Sequence, residues 1–126
     1  MKRLLVALVS LLTLGSNLNA QVVISSISTV YTQNFDGLSN DTTWATAHAM
    51  SLTGWAIYER GTSSAVDQMY KVSNGSRNNG ETYSYGDTLT TTSTDRALGS
   101  VSSGTNLPSF GVMIKNSTGG NITGLH

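Results

Sequence analysis

The chain has 126 residues, no cysteine and one proline, and its seven basic side chains balance its seven acidic ones. Without cysteine there is no disulfide framework, no thiolate metal site and no cysteine nucleophile. Because Lys2 and Arg3 lie at the N-terminus, the rest of the chain has five basic side chains and no basic patch, so this segment is not expected to bind nucleic acid.

Residues 1–20 have the three-part organisation of a secretory signal peptide. A positively charged start precedes an apolar run of about 11 residues that ends at Leu14, and small and polar residues follow up to Ala20. A membrane span needs about 20 apolar residues, so we expect cleavage after Ala20 rather than an anchor. The mature chain, residues 21–126, is then predicted to be secreted or held at the outer cell surface, with no membrane span after leader removal.

Small polar residues dominate the mature chain. Of its 106 residues, 32 are Ser or Thr, 12 are Gly and 8 are Asn, whereas only 20 are Leu, Ile, Val or Phe. Low aliphatic content indicates disorder only when net charge is also high, which is not the case here. All nine aromatic side chains lie in this part of the chain and add core material that the aliphatic count understates.

Short stretches of alternating apolar and polar residues predict β-strands. In chain order they occur at 31–35, 55–58, 70–72, 83–85, 98–101 and 112–115. Asp-Gly and Asn-Gly pairs lie between several of them and supply the positive φ angles of tight hairpins. This pattern predicts an all-β, antiparallel, jelly-roll-like (lectin-like) sandwich of six or seven strands. Residues 42–49 are interpreted as a loop.

A further strand is expected to begin near Ile122, directly before the final residue, His126. A domain rarely ends within an element that needs a partner strand. We therefore expect the β-sandwich module at 21–126 to be truncated at its C-terminal end and to be the first piece of a longer protein.

Six short motifs, taken together and in order, resemble the N-terminal β-sandwich module of large secreted bacterial surface proteins. The motifs are YTQNFDGL at 31–38, GWAIY at 54–58, YSYG at 83–86, DRALGS at 95–100, FGVMIKN at 110–116 and TGGNIT at 118–123. In that family, lamin-tail, fibronectin-like, immunoglobulin-like, nuclease or C-terminal sorting modules often follow. The resemblance implies a β-sandwich and transfers no catalytic residue.

The function we expect is that of a non-catalytic accessory or adhesion module, with polysaccharide or cell-surface glycans as partners. One alternative is a carbohydrate-binding module of a secreted hydrolase, and another is the leading domain of an extracellular nuclease. Catalysis by this segment is not expected, because nothing pairs Glu59 with Glu81 as a glycosidase would require and His48 is solitary. No nucleophile elbow or zinc-protease motif occurs.

Three residues are candidates for ligand binding. Trp44 lies in a polar loop, where its ring could form an exposed platform for a sugar, whereas Trp55 lies in a predicted strand and is expected in the core. Asp95 and Arg96 form the most distinctive charged pair. Either one of them lines a ligand groove, or Asp95 caps a turn while Arg96 pairs with a carboxylate or with loop carbonyls.

No cofactor is expected, although calcium is conceivable. Calcium binds six to eight oxygens, often from acidic loops, but the chain has no spaced Asp-x-Asp-x-Asp run. Asp36, at a predicted strand end beside Gly37, is the best single metal ligand. Its alternative role is an Asx turn.

Overall fold

The fold is all-β. The structure, a computed structural model, describes residues 21–41, 43–62, 66–87 and 94–124. These residues contain seven strands and no helix, and none of them belongs to a helix that could cross a membrane. The predicted signal peptide, residues 1–20, lies outside the described residues.

The seven strands form three small sheets. The strands are β1 (Val22–Ile24), β2 (Trp55–Gly61), β3 (Tyr70–Ser73), β4 (Glu81–Tyr85), β5 (Ala97–Val101), β6 (Asn106–Val112) and β7 (Ile114–Asn116). β1 pairs with β7, β2 pairs with β6, and β4 lies between β3 and β5.

Strand pairing is mixed, which differs from the expected antiparallel arrangement. β2–β6 and β4–β5 are antiparallel, but β1–β7 and β3–β4 are parallel. The Asn74–Gly75 turn forms, with Gly75 at φ 93°, yet the strands on either side of its loop run parallel rather than as a hairpin. Local alternation of apolar and polar residues is the same for both directions of pairing, so it could not distinguish them.

Two of the predicted strands do not form. In the segment 31–35 the side chain of Asn34 accepts a hydrogen bond from the N–H of Asp36 (3.2 Å), and Phe35 has φ 65°. These two features turn the backbone out of the extended conformation. At the other end, residues 121–124 form no strand, so the expected strand near Ile122 is absent from the described part of the chain.

β2 has the alternation that the sequence predicts. Ile57 and Glu59 are buried, whereas Tyr58 and Arg60 are exposed. Tyr58 retains 63% of its accessible surface. β2 therefore has an inner face toward the core and an outer face toward solvent.

The apolar core is small and lies between β2 and β3. Its buried members are Leu38, Ile57 and Tyr70, and the partly buried side chains around them are Phe35, Met50, Leu52 and Leu98. Trp55, predicted to be in the core, is half-buried at its edge. Its ring packs edge-on against Phe35, with centroids 4.8 Å apart.

Polar side chains occupy the rest of the interior. Thr82 and Ser84 on β4 have no accessible surface, and Glu59 on β2 is buried beside them. The Glu59 carboxylate accepts hydrogen bonds from the N–H (3.2 Å) and the hydroxyl (3.3 Å) of Thr82 and from the N–H of Asp67 (3.2 Å). A buried carboxylate thus joins two sheets, and its hydrogen bonds offset the cost of its burial.

Gly54 allows β1 to pack against the start of β2. Its φ is 79°, and a Cβ there would lie 2.8 Å from the Val22 side chain. The carbonyl of Gly54 accepts a hydrogen bond from Met113 N (2.8 Å), and the carbonyl of Met113 accepts one from Val22 N (2.9 Å). This chain of bonds links the β1–β7 sheet to the β2–β6 sheet.

Candidate ligand-binding surface

Trp44 lies in a loop whose C-terminal end is bonded to β3. The Asp41 side chain accepts a hydrogen bond from Thr43 N (3.3 Å) at the start of the loop. At its end, His48 forms a two-bond bridge with Tyr70: His48 N donates to the Tyr70 carbonyl (2.8 Å), and Tyr70 N donates to the His48 carbonyl (2.9 Å). The loop is therefore bonded to β3 on the C-terminal side of Trp44, whereas the bond from Thr43 to Asp41 is local to the loop.

The side chains of Asp41 and His48 close this loop. His48 Nε2 lies 3.0 Å from Asp41 Oδ2, near enough for an ion pair when the imidazole is protonated. The His48 ring also stacks on the Tyr70 ring, with centroids 5.4 Å apart and planes 28° from parallel. The Tyr70 hydroxyl accepts a hydrogen bond from Ser39 N (2.9 Å). The His48 ring therefore stacks on a core side chain that is itself hydrogen-bonded.

Trp44 itself remains exposed over 52% of its surface. The guanidinium carbon of Arg77 lies 3.5 Å from the centroid of its ring. This is the geometry of a cation–π contact, which is worth about 0.5–1 kcal/mol at an exposed site. We call these two residues the Trp44–Arg77 pair.

Arg77 comes from a second loop, residues 74–80, which follows β3. Within it, Asn74 Oδ1 accepts a hydrogen bond from Ser76 N (3.1 Å), and the Asn79 carbonyl accepts one from the Tyr83 hydroxyl (3.2 Å). These side-chain bonds shape the loop that carries Arg77. The Arg77 guanidinium has no hydrogen bond or ion pair to any residue that the structure describes.

Arg96, unlike Arg77, is buried and hydrogen-bonded. It retains 2% of its accessible surface, and its Nε donates to the Ser84 hydroxyl (2.9 Å) while Nη2 donates to the Ser84 carbonyl. Burial lowers the pKa of Arg96, against a smaller raising effect of Tyr70, Asp87 and Asp95. Nη1 is buried with no hydrogen-bond partner among the described residues.

The structure separates the residues that the sequence proposed together. Asp95 is exposed, whereas the side chain of its neighbour Arg96 points inward to Ser84. Arg96 bonds to a carbonyl of β4, whereas the second role considered for it was pairing with a carboxylate or with loop carbonyls. Neither residue has a contact with Trp44 among those described.

Asp36 lies against Arg96 and Asn34. Its Oδ1 accepts a hydrogen bond from Arg96 N (3.2 Å), and its Oδ2 accepts one from Asn34 Nδ2 (2.5 Å). Both carboxylate oxygens therefore have protein partners, one a backbone N–H from a distant part of the chain and the other a neighbouring side chain. Among the described residues, no group of three or more His, Asp or Glu side chains is placed to hold a metal ion.

Both glutamates, Glu59 and Glu81, are buried and bonded to other protein groups. Glu59 accepts the three hydrogen bonds described above, and Glu81 pairs with Lys71 Nζ at 2.7 Å. Both carboxylates thus have protein partners at their oxygens.

Comparisons with protein-family models, curated proteins and solved structures find no match. The assignment of a binding site to this surface therefore depends on its geometry alone. Sequence reasoning missed Arg77, although a signal exists: it is the single charged residue in the Asn- and Gly-rich stretch 74–80. It also missed the pairing of His48 with Asp41, because six residues lie between them and no sequence pattern indicates the contact.

Proposed function

We propose that this chain is a non-catalytic accessory or adhesion module of a secreted or cell-surface protein, and that it binds polysaccharide or cell-surface glycans through Trp44. The observation that carries the proposal is the half-exposed Trp44 ring on a loop anchored by His48 and Asp41. A fixed aromatic ring at the surface is a binding feature, because it loses little conformational freedom when a ligand covers it.

The distribution of aromatic side chains supports this choice. Tyr70 and Tyr83 are buried, as a chain with few aliphatic residues requires, whereas Trp44 keeps about half its surface in water. The loops around Trp44 are rich in Thr and Asn, whose hydroxyl and amide groups can hydrogen-bond sugar hydroxyls.

We propose in addition that the three sheets belong to a jelly-roll-like sandwich related to the leading modules of secreted bacterial surface proteins. The all-β fold and the seven short strands support this proposal. A carbohydrate-binding module of a secreted hydrolase would use the same Trp44 surface. A hydrolase domain in the same protein would favour the second, and adhesive or sorting modules would favour the first.

A glycan array tests the proposed function. The full chain is applied beside Trp44→Ala and, as a matched control, Tyr58→Ala, which removes another exposed ring from the outer face of β2. We expect binding to at least one glycan class, a loss of about tenfold or more in Trp44→Ala and no loss in Tyr58→Ala. Absence of binding to every glycan, or equal loss in both variants, would contradict the proposal.

A further inference from the structure

We propose that Arg77 makes the Trp44 surface selective for acidic sugars, those that carry a carboxylate or a sulfate group. This inference rests on the proposed function and deepens it by naming the class of ligand. It is carried by the contact of the Arg77 guanidinium with the Trp44 ring at 3.5 Å.

The first step is the orientation of the guanidinium. An arginine side chain on a surface loop ordinarily loses conformational entropy when it binds a ligand. Arg77 is only partly exposed, and contact with the Trp44 ring restricts its guanidinium before any ligand arrives. Because a guanidinium is planar and presents paired N–H donors, a positioned one matches the two oxygens of a carboxylate or sulfate.

The second step is that the Arg77 donors are unused. Within the described part of the chain no carboxylate or carbonyl bonds to them, whereas the nearby cation Lys71 is paired with Glu81 at 2.7 Å. A cation held on an aromatic ring without an anionic partner lacks the partner that gives arginine its strongest hydrogen bonds. An acidic ligand would supply it.

The third step concerns which anions fit. Outside the predicted leader the chain has five basic and seven acidic side chains, so a long polyanion such as DNA meets little positive charge here. The Arg77 guanidinium covers one face of the Trp44 ring, so a sugar would lie at the edge or on the opposite face of the ring, and its acid group would reach Arg77 past the ring edge. The combination of an apolar ring and a single cation therefore favours an acidic sugar over a simple polyanion.

Affinity electrophoresis or calorimetry with four polymers tests the inference. The probes are polygalacturonate for carboxylates, dextran sulfate for sulfates, dextran as the neutral polysaccharide and double-stranded DNA as a polyanion without sugar acids. The variants are Arg77→Gln, Arg77→Lys and, as a control that removes the same charge from the outer face of β2, Arg60→Gln.

The expected result is binding of at least one acidic polysaccharide about tenfold or more tightly than dextran or DNA. Arg77→Gln should weaken that binding about tenfold, Arg77→Lys should restore only part of it, and Arg60→Gln should leave it unchanged. Whichever acidic polymer binds more tightly identifies the acid group.

Three results would overturn the inference. Equal binding of dextran and the acidic polymers, unchanged in Arg77→Gln, would leave the proposed glycan binding intact and remove the acidic selectivity. DNA binding as tight as that of the acidic polysaccharides would mean general attraction of polyanions. No binding to any polysaccharide in this set or on the array would remove both proposals together.

Discussion

Arg77 and Arg96 carry the same guanidinium group in opposite surroundings. Arg96 is buried, and its Nε and Nη2 donate hydrogen bonds to the hydroxyl and the carbonyl of Ser84. Arg77 lies over a half-exposed ring and has no hydrogen-bonding partner among the described residues. Charge and residue type alone therefore do not separate an arginine that supports the fold from one whose donors are still available. What distinguishes the two is whether the fold has already used the donors.

Replacing Arg96 by alanine should have the largest effect on stability. The variant leaves the buried hydroxyl and carbonyl of Ser84 without their donors and opens a cavity. We expect the free energy of unfolding to fall by about 3 kcal/mol, measured by urea denaturation. Arg60→Ala, which removes an exposed arginine, should change it by less than about 0.5 kcal/mol. Equal and small effects would mean that Arg96 is not a structural residue.

Gly86→Ala should be the next most damaging change, because the space around the Arg96 guanidinium is full. A Cβ at Gly86 would overlap the Arg96 guanidinium and the Asp95 carbonyl. We expect a loss of about 1–3 kcal/mol in urea denaturation. Gly111→Ala is the matched control, since a Cβ there meets no atom within 4 Å. A tolerated Gly86→Ala would show that the Arg96 environment is loosely packed.

Tyr83 gives a pH-dependent measure of the region beside Arg77. Burial, and secondarily the charge of Glu81, raise the pKa of Tyr83 from 10.0 to about 12. The neutral phenol is thus favoured in the folded state, and its contribution to stability is complete below pH 10 and lost as the pH rises from 10 to about 12. Denaturation at several pH values should show this decline, and Tyr83→Phe should reduce it.

The pKa of Tyr83 also depends on Arg77. The positive charge of Arg77 opposes the other influences and lowers the pKa of Tyr83. Arg77→Gln should therefore move the ultraviolet titration of Tyr83 to higher pH, whereas Arg60→Gln should not. An unchanged titration of Tyr83 in Arg77→Gln would place Arg77 away from Tyr83.

The Trp44–Arg77 contact should contribute least to stability. Arg77→Ala is expected to lower the free energy of unfolding by no more than about 1 kcal/mol, since the contact is exposed. Trp44 fluorescence should change in this variant even though the fold persists, and Trp55→Phe provides the background in which Trp44 is the only tryptophan. A loss as large as that of Arg96→Ala would make Arg77 a structural residue instead.

Sequence reasoning reached the fold class but not the pairing of its strands. Alternating residues such as Ile57 and Tyr58 predict a strand with one buried face, and β2 has it. The pairing of β3 with β4 is parallel although its partners, such as Tyr70 and Thr82, lie only 12 residues apart, and alternation does not indicate the direction of pairing. The segment 31–35 also alternates, yet the Asn34 side chain and the positive φ of Phe35 turn it away from any sheet.

The candidate site was partly predictable for a similar reason. A tryptophan in a polar loop indicates exposure, and Trp44 is half exposed. The environments of Arg96 and Arg77 could not be read in the same way. The burial of Arg96 depends on Ser84, 12 residues earlier, and the position of Arg77 depends on Trp44, in a loop that precedes β2. Both are products of tertiary packing, which local composition does not encode.

An arginine side-chain ¹H–¹⁵N spectrum of the full chain, recorded during titration with oligogalacturonate, tests the central contrast most directly. Lysine variants of Arg77 and Arg96 assign the two Nε resonances. We predict that the Arg96 resonance is protected from solvent exchange and stays in place, while the Arg77 resonance moves as the acidic sugar is added. Movement of the Arg96 resonance with a stationary Arg77 would contradict the account and return the ligand site to the Asp95–Arg96 pair.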